Sequence, residues 1–318
     1  MGRELDLERA RRWHESRTLH HSDFPPERLS AERTASVSVC VPARNEAGTV
    51  GAIVADLVSL REAGVVDQVA VIDAGSTDGT AEVASSAGAQ VFQESSLMPE
   101  VGAPLGKGDA MWRSLSVLEG DVLCWVDADS GGFGPHFVCG LIGPLLCGDP
   151  EIQFVKAFYR RPFKVGEVAL PEGGGRVTEL TARPLLNLFY PQLAGIRQPL
   201  AGEVAGRREL MRRIPFGTGY SVEIAMLIDV WSEVGLDGLA QVDIEMRQNR
   251  HQALGDLTPM AFAVLRAVAA RLAREGRIGE LEDGSDLLVP VGSSLEERHL
   301  EQLERPPLAS LVPPKRAG

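Results

Sequence analysis

Apolar residues recur along this chain with two periods, and the alternation between them outlines a layered α/β fold. Ser36–Pro42 (SVSVCVP) alternates β-branched with small residues and reads as a first strand. From about Glu46 to Glu62, Val50, Ile53, Val54, Leu57 and Val58 fall at helical spacing. Val66–Ile72 reads as a second strand, a short helix runs to about Ser86, and Ala89–Gln93 is a third, short strand. A helix over Asp109–Leu118 precedes the buried strand Val122–Val126. A helix over Pro135–Cys147, with Phe137, Leu141, Leu145 and Leu146 on one face, precedes the strand Ile152–Tyr159. Ile224, Leu227, Ile228 and Trp231 mark a later helix, and Gln241–Ile244 a last strand. Thr258-Pro259 opens a helix to about Arg274, an N-cap followed by proline at N1. The β-α-β-α-β opening implies a mostly parallel, Rossmann-like sheet flanked by helices. In such sheets ligands sit beyond the carboxyl ends of the strands.

Those strand ends carry the polar residues of interest. The first strand runs into Pro42-Ala43-Arg44-Asn45-Glu46, the second into Asp73-Ala74-Gly75-Ser76, and Val122–Val126 into Asp127-Ala128-Asp129. Residues i and i+2 of a strand face the same way, so Asp127 and Asp129 are expected to share one cleft. Two adjacent carboxylates repel unless a cation joins them, and a hard divalent ion is the natural partner. Alone, the pair reads equally well as an acidic turn capping the next helix. Three polar strand ends on one rim tip the reading towards a site.

Two glycine-rich stretches add anion-binding candidates. Lys107, between Gly106 and Gly108, offers a point charge to a phosphate or is a solvated lysine. Gly173-Gly174-Gly175 feed a helix whose first turn holds Arg176 and Thr178, and free N–H groups there with a guanidinium would bind an oxyanion. The alternative is a flexible loop with a solvated arginine. Leu200–Glu203 and Gly217–Tyr220 are tight turns. Glu223, in the first turn of the following helix, is a helix-dipole carboxylate or a catalytic one.

Composition narrows the class. The 318 residues are 44% hydrophobic, enough for a substantial core, and the net charge of −12 leaves no basic stripe for nucleic acid. No apolar run approaches the ~20 residues of a membrane span. The four cysteines show no C-x-x-C spacing and the N-terminus no apolar leader, so reduced thiols and a cytoplasmic location are expected. His20 and His21 are expected to point apart, which argues against a shared metal. The chain divides into an extension (1–35), a first α/β half (36–150), a second half (151–275) and a charged tail (276–318).

Taken together, the runs PLGKGDAMWRSL, VDADS, QFVKAFYRRPF, GGGRVTELTARPLL, QPLAGE and PFGTGYSVEIAMLID, with the turn after Gln241, resemble a known family. They are similar to the glucosyl- and mannosyl-3-phosphoglycerate synthases of glycosyltransferase family 81, over roughly residues 36–255. The resemblance implies a GT-A fold with a C-terminal acceptor-binding part. It also implies a retaining hexosyl transfer from a nucleoside-diphosphate sugar to the C2 hydroxyl of 3-phosphoglycerate, in compatible-solute synthesis. By it, Pro42, Ala43, Arg44, Glu46, Asp73 and Ala74 would hold the base and ribose, and Lys107, Asp127, Ala128 and Asp129 the diphosphate and sugar. Leu200, Tyr220 and Glu223 would line the sugar pocket. Gly175, Arg176, Thr178, Gly217, Thr218 and Asn249 would bind the acceptor, and Asp129 and His251 would ligate Mg2+ or Mn2+. A homodimer is a further family expectation.

Two departures matter. Asn249-Arg250-His251 stands where some members have the histidine and asparagine exchanged. Arg44 is apolar in some glucosyl members and lies where the base would sit, so GDP- rather than UDP-sugar is expected. Two other classes stay open on sequence: a sugar-phosphate nucleotidyltransferase and a non-catalytic nucleotide-sugar-binding protein.

Overall fold

The computed structural model describes residues 2–161, 163–165, 168–170, 175–247, 254–279, 286–291 and 294–311. Helix α1 (Gly2–Arg17) leads into a short strand, β1 (Thr18–His20), and helix α2 (Pro26–Glu32) follows. The expected alternation then appears as β2 (Val37–Ala43), α3 (Ala47–Glu62), β3 (Gln68–Asp73), α4 (Thr80–Ser86), β4 (Gln90–Gln93), α5 (Lys107–Ser114), β5 (Val122–Trp125), α6 (Pro135–Cys147) and β6 (Phe154–Arg160). A small hairpin, β7 (Phe163–Val165) and β8 (Val168–Leu170), precedes a π-helical turn at Thr178–Ala182 and α7 (Arg183–Phe189). Next come β9 (Val204–Arg207), α8 (Arg208–Arg213), β10 (Phe216–Gly217), α9 (Val222–Val234), β11 (Leu239–Met246) and α10 (Leu257–Arg274). The tail forms the hairpin β12 (Asp286–Val291) and β13 (Ser294–His299), then β14 (Glu304–Arg305) and α11 (Leu308–Leu311).

Eight strands form one sheet in the order β1-β11-β6-β9-β5-β2-β3-β4. All neighbours pair in parallel except β9, which runs antiparallel between β5 and β6. The carboxyl ends of seven strands therefore share a rim, and β9 brings its first residue, not its last, to that rim. This geometry assembles the site.

Two apolar clusters pack the sheet. One holds Trp112, Trp125, Phe154 and Phe216 under α5, α9 and α10. The other holds Val39, Val41, Ile53, Leu57, Phe137 and Leu141 under α3 and α6. Phe137 and Phe154 are fully buried, and each such side chain contributes about 1.5–3 kcal/mol.

Two terminal segments differ from the sequence expectation. Residues 18–20, within the extension, are the edge strand of the sheet, paired with Gln241–Asp243. Helix α1 docks behind them, with Trp13 Nε1 donating to the Leu239 carbonyl at 2.9 Å. The tail is also tied in, because β14 pairs with β10 and the Trp112 indole donates to the Pro306 carbonyl at 2.8 Å. Both contacts join segments far apart in sequence, which local periodicity does not encode.

Candidate active site

Asp127 and Asp129 follow β5 and face one cleft, as their spacing requires. Lys107 Nζ lies 2.5 Å from Asp127 Oδ1 and 3.0 Å from Glu223 Oε1. On the opposite side Arg247, 2% exposed, contacts Asp127 Oδ2 at 3.0 Å and Asp129 Oδ1 at 2.7 Å, and pairs with Glu203. The Arg247 guanidinium also donates to the Tyr159 hydroxyl at 3.0 Å, and that hydroxyl donates to Glu203 Oε2 at 3.0 Å. Burial by itself would raise the Asp127 pKa. Lys107 and Arg247 outweigh it and hold the carboxyl well below the usual carboxylate range. Burial would likewise lower the Lys107 pKa, but Asp127 and then Glu223 reverse the sign, and the ammonium stays charged. The turn at Gly202 allows this closeness, since a Cβ there would stand 2.3 Å from Lys107 Nζ and 2.5 Å from Asp127 Oδ2.

The loop before α5 is held from behind. Asp109, fully buried, accepts from the Leu105 N–H at 3.0 Å, from Arg113 Nε at 3.0 Å and from Arg305 Nε at 2.7 Å. The two guanidiniums then bind loop carbonyls, Arg113 those of Leu97, Met98 and Gly102, and Arg305 those of Val101 and Ala103. A buried carboxylate satisfied in this way is a rigid anchor. It fixes the backbone from which Lys107 reaches the aspartates.

Pro42, Ala43, Arg44, Glu46, Ala74, Glu94, Lys107, Asp127, Ala128 and Asp129 line a cleft of about 480 Å³. The expected donor-binding residues thus converge, with Asp73 buried just behind Ala74. Asp73 Oδ2 accepts from the Ser76 N–H at 3.2 Å, while its Oδ1 is buried with no hydrogen-bond partner. Glu94 adds a second such oxygen, Oε1. Burial first, then the Asp109 carboxylate, push Glu94 up to about 7 against the pull of Arg113 and Arg44. Asp129 is half-exposed and shares the Arg247 guanidinium with Asp127, and such a carboxylate fits a hard divalent cation.

A second cavity, about 960 Å³, opens on the other side of Tyr159. Its wall includes Arg160, Arg161, Arg176, Arg183 and Arg197, a strongly cationic lining under α1. Gly175, at φ 81°, turns the chain so that Arg176 begins the helix, and Thr178 lies in the first turn. Arg161 donates to the Tyr159 hydroxyl at 2.7 Å, so one phenol links this cavity to the carboxylate centre.

The remaining site candidates are less uniform. Leu200 packs on the core, and Tyr220 is half-exposed beside Gly219, which abuts Gly106. Thr218 is buried and its hydroxyl donates to the Leu303 carbonyl at 3.0 Å, while the Gly217 carbonyl packs against Gly108. These two are bound up in packing with the tail and α5, and are not offered to either cavity. Asn249 and His251 lie outside the described residues.

Five further residues of the site were not singled out in sequence, Glu94, Lys156, Tyr159, Glu203 and Arg247, although the last four stand in the runs that carry the family resemblance. Glu203 closes a turn that reads as a generic loop, and it reaches the rim because β9 enters the sheet antiparallel. Lys156 lies inside β6, where its charge reads as solvent-facing. It is buried and donates to the Ala201 carbonyl at 2.7 Å, and burial lowers it to about 8 against the upward pull of Glu223.

Known proteins resemble this chain over most of its length. Residues 38–131 match the family model described as Glycosyl transferase family 2. The glucosyl-3-phosphoglycerate synthase of Petrotoga mobilis is 42% identical over 307 residues, 93% of this chain and 94% of that protein. The crystal structure of mannosyl-3-phosphoglycerate synthase from Rubrobacter xylanophilus superposes with a TM-score of 0.89 at 48% identity, covering 96% of this chain and 98% of that one. The glucosyl-3-phosphoglycerate synthase of Mycobacterium tuberculosis, solved in complex with Mn2+, uridine-diphosphate-glucose and phosphoglyceric acid, superposes at 0.79 with 38% identity. It covers 90% of this chain and 94% of that one. Among the described residues no helix is long and apolar enough to cross a membrane. The paired aspartates, the anchored lysine and these likenesses over nearly the whole chain lead to one conclusion: the chain belongs to the glucosyl- and mannosyl-3-phosphoglycerate synthases, hexosyltransferases of the GT-A fold.

Proposed function

We propose that this chain moves a hexosyl group from a nucleoside-diphosphate sugar, GDP-sugar by preference, to the C2 hydroxyl of 3-phosphoglycerate with retention of configuration. The observation that carries this reading is one hydrogen-bonded network that links two cavities. A cleft of donor-type residues and an arginine-lined cavity adjoin across the Tyr159–Arg247–Asp127/Asp129 network. The arginine lining suits an acceptor with two anionic groups, a carboxylate and a phosphate, such as 3-phosphoglycerate.

The base preference rests on Arg44 and Glu94, which line the same cleft. Guanine presents adjacent N1–H and N2–H donors that a carboxylate accepts as a pair, with the O6 acceptor next to them for a guanidinium. Uracil presents one N–H between two carbonyls, which a carboxylate matches less well.

A divalent cation at Asp129, Mg2+ or Mn2+ with His251 as the further ligand, would supply positive charge to the departing diphosphate. Lys107 adds a fixed ammonium on the same side. Glu223 is committed to Lys107, which favours a role in orienting sugar hydroxyls and, with it, front-face attack without a covalent intermediate. A cytoplasmic homodimer working in compatible-solute synthesis completes the reading.

The test is a donor panel of GDP-glucose, GDP-mannose and UDP-glucose with 3-phosphoglycerate and Mg2+ or Mn2+, read by product mass and NMR. A 2-O-α-hexosyl-3-phosphoglycerate formed fastest from a GDP-sugar is the expected result. Faster turnover of UDP-glucose would overturn the base assignment, and no transfer to 3-phosphoglycerate from any donor would overturn the acceptor assignment.

A further inference from the structure

Away from the carboxylate centre, the edge of the sheet gathers three histidines and a glutamate. His20 and His21 do not point apart as neighbouring strand residues do. Strand β1 stops at His20 and a 3-10 turn, His21–Asp23, begins, which brings both rings to one side with centroids 4.4 Å apart. Glu245 arrives from the end of β11, the strand paired with β1, and its Oε1 lies 3.1 Å from His21 Nε2. One ligand atom from each of His20, His21 and Glu245 falls within 4.8 Å of the others, a spread that small side-chain adjustments close around one ion.

The surroundings are shaped to this cluster. Glu245 sits at φ 70° in a bulge between Asp243 and Met246, an uncommon backbone for a residue other than glycine. His136 on α6 places its ring 4.8 Å from that of His21. Gly140, one turn on along the same helix face, leaves room for His21: a Cβ there would stand 3.0 Å from His21 Cβ. Ser22 engages His20 Nδ1 through its hydroxyl at 2.8 Å and its N–H at 3.2 Å, which leaves Nε2 for the ion.

We propose that His20, His21 and Glu245, with His136 as fourth ligand, bind a divalent transition metal, Zn2+ by preference. Imidazole with one carboxylate is the donor set of zinc. The ion clamps the N-terminal strand to the end of β11, two residues before Arg247. It thereby steadies the segment that delivers Arg247 to the catalytic aspartates, and it assigns the N-terminal extension a role.

The test uses the full chain carrying Asp129→Ala, stripped with EDTA, so that the catalytic centre lacks its own ligand. Zn2+ is added by calorimetric titration and Co2+ by visible absorption. One Zn2+ per chain and the intense absorption of four-coordinate Co2+ are expected. His21→Ala in this background abolishes both. Glu245→Gln, a conservative change at an exposed side chain, weakens Zn2+ binding at least about tenfold, since even the loss of an outer partner costs 10–100-fold. Glu245→Gln decides the question if His21→Ala does not fold. Absence of Zn2+ binding by the Asp129→Ala chain, or binding undiminished by Glu245→Gln, overturns the proposal.

Discussion

Arg305 Nε donates to Asp109 Oδ1 at 2.7 Å across 196 residues of chain, and this bond ties the C-terminal tail to the loop that carries Lys107. The tail therefore reaches the loop that lines the candidate donor cleft through a buried ion pair.

Arg305→Met is expected to cost about 3–5 kcal/mol, because it leaves a fully buried carboxylate short of one partner. The carbonyls of Val101 and Ala103 lose their donors as well. Urea unfolding measures the loss, and steady-state kinetics should show a raised donor KM with the acceptor KM little changed. Unaltered stability would mean that Asp109 does not depend on the tail.

Lys107→Met removes the nearest counter-charge of Asp127 and should lower kcat by about 10²–10³-fold, the scale of losing one preorganised charge. It should also change the acid limb of stability. Asp127 is held below its ordinary range, so its contribution is present above the unfolded pKa of about 3.9 and lost as pH falls towards the folded value. Without Lys107 the folded value moves back towards the unfolded one, so less stability is lost as pH falls below about 3.9, which acid unfolding followed by circular dichroism would detect.

Glu94 gives the opposite slope. Its folded pKa is raised to about 7, so the native state holds a proton that the unfolded chain has released. The stabilisation is full below about 4.5 and is lost as pH climbs through 7. Glu94→Gln should flatten Tm between pH 5 and pH 8 while raising the KM for GDP-sugars. Lys156, lowered to about 8, adds a rise in stability from there to about 10.5, which Lys156→Met should remove. A wild-type profile flat over both windows would refute both assignments.

Arg176→Ala should raise the acceptor KM by about 10–100-fold, the worth of a charge-assisted pair with an oxyanion, and leave the donor KM nearly unchanged. Equal effects on both substrates would count against an acceptor site in the arginine-lined cavity.

Glu223→Gln should slow turnover yet give product of the same anomeric configuration by NMR, because the Glu223 carboxylate is bound to Lys107 at 3.0 Å and poorly disposed to attack. Loss of all activity, with rescue by an external anion giving the opposite anomer, would instead identify Glu223 as the nucleophile.

Much of this site was legible one residue run at a time. The period of apolar positions marks β2, α3, β3, β5 and α6 to within a residue or two, because alternation and helical spacing are short-range consequences of facing a core. The i, i+2 geometry of Asp127 and Asp129 and the loop glycines around Lys107 are equally local. Glu203, Tyr159 and Arg247 were not legible, although they complete the centre. Tyr159 meets Glu203 across 44 residues and Arg247 meets Asp129 across 118. His20 and His21 show the same limit from the other side, since a turn at the end of β1 brings together rings that strand geometry separates.

The sequence alone determined the kind of sheet, the rim on which the chemistry lies and the acidic pair at its centre, since each follows from contacts a residue makes within its own strand, helix or turn. The tertiary structure alone decided the charge balance around that pair. One antiparallel strand inserted among parallel ones carries Glu203 to the rim, β11 delivers Arg247 beside it, and the tail returns to hold the lysine loop. Strand order and direction arise from packing the whole core, and no local pattern specifies them.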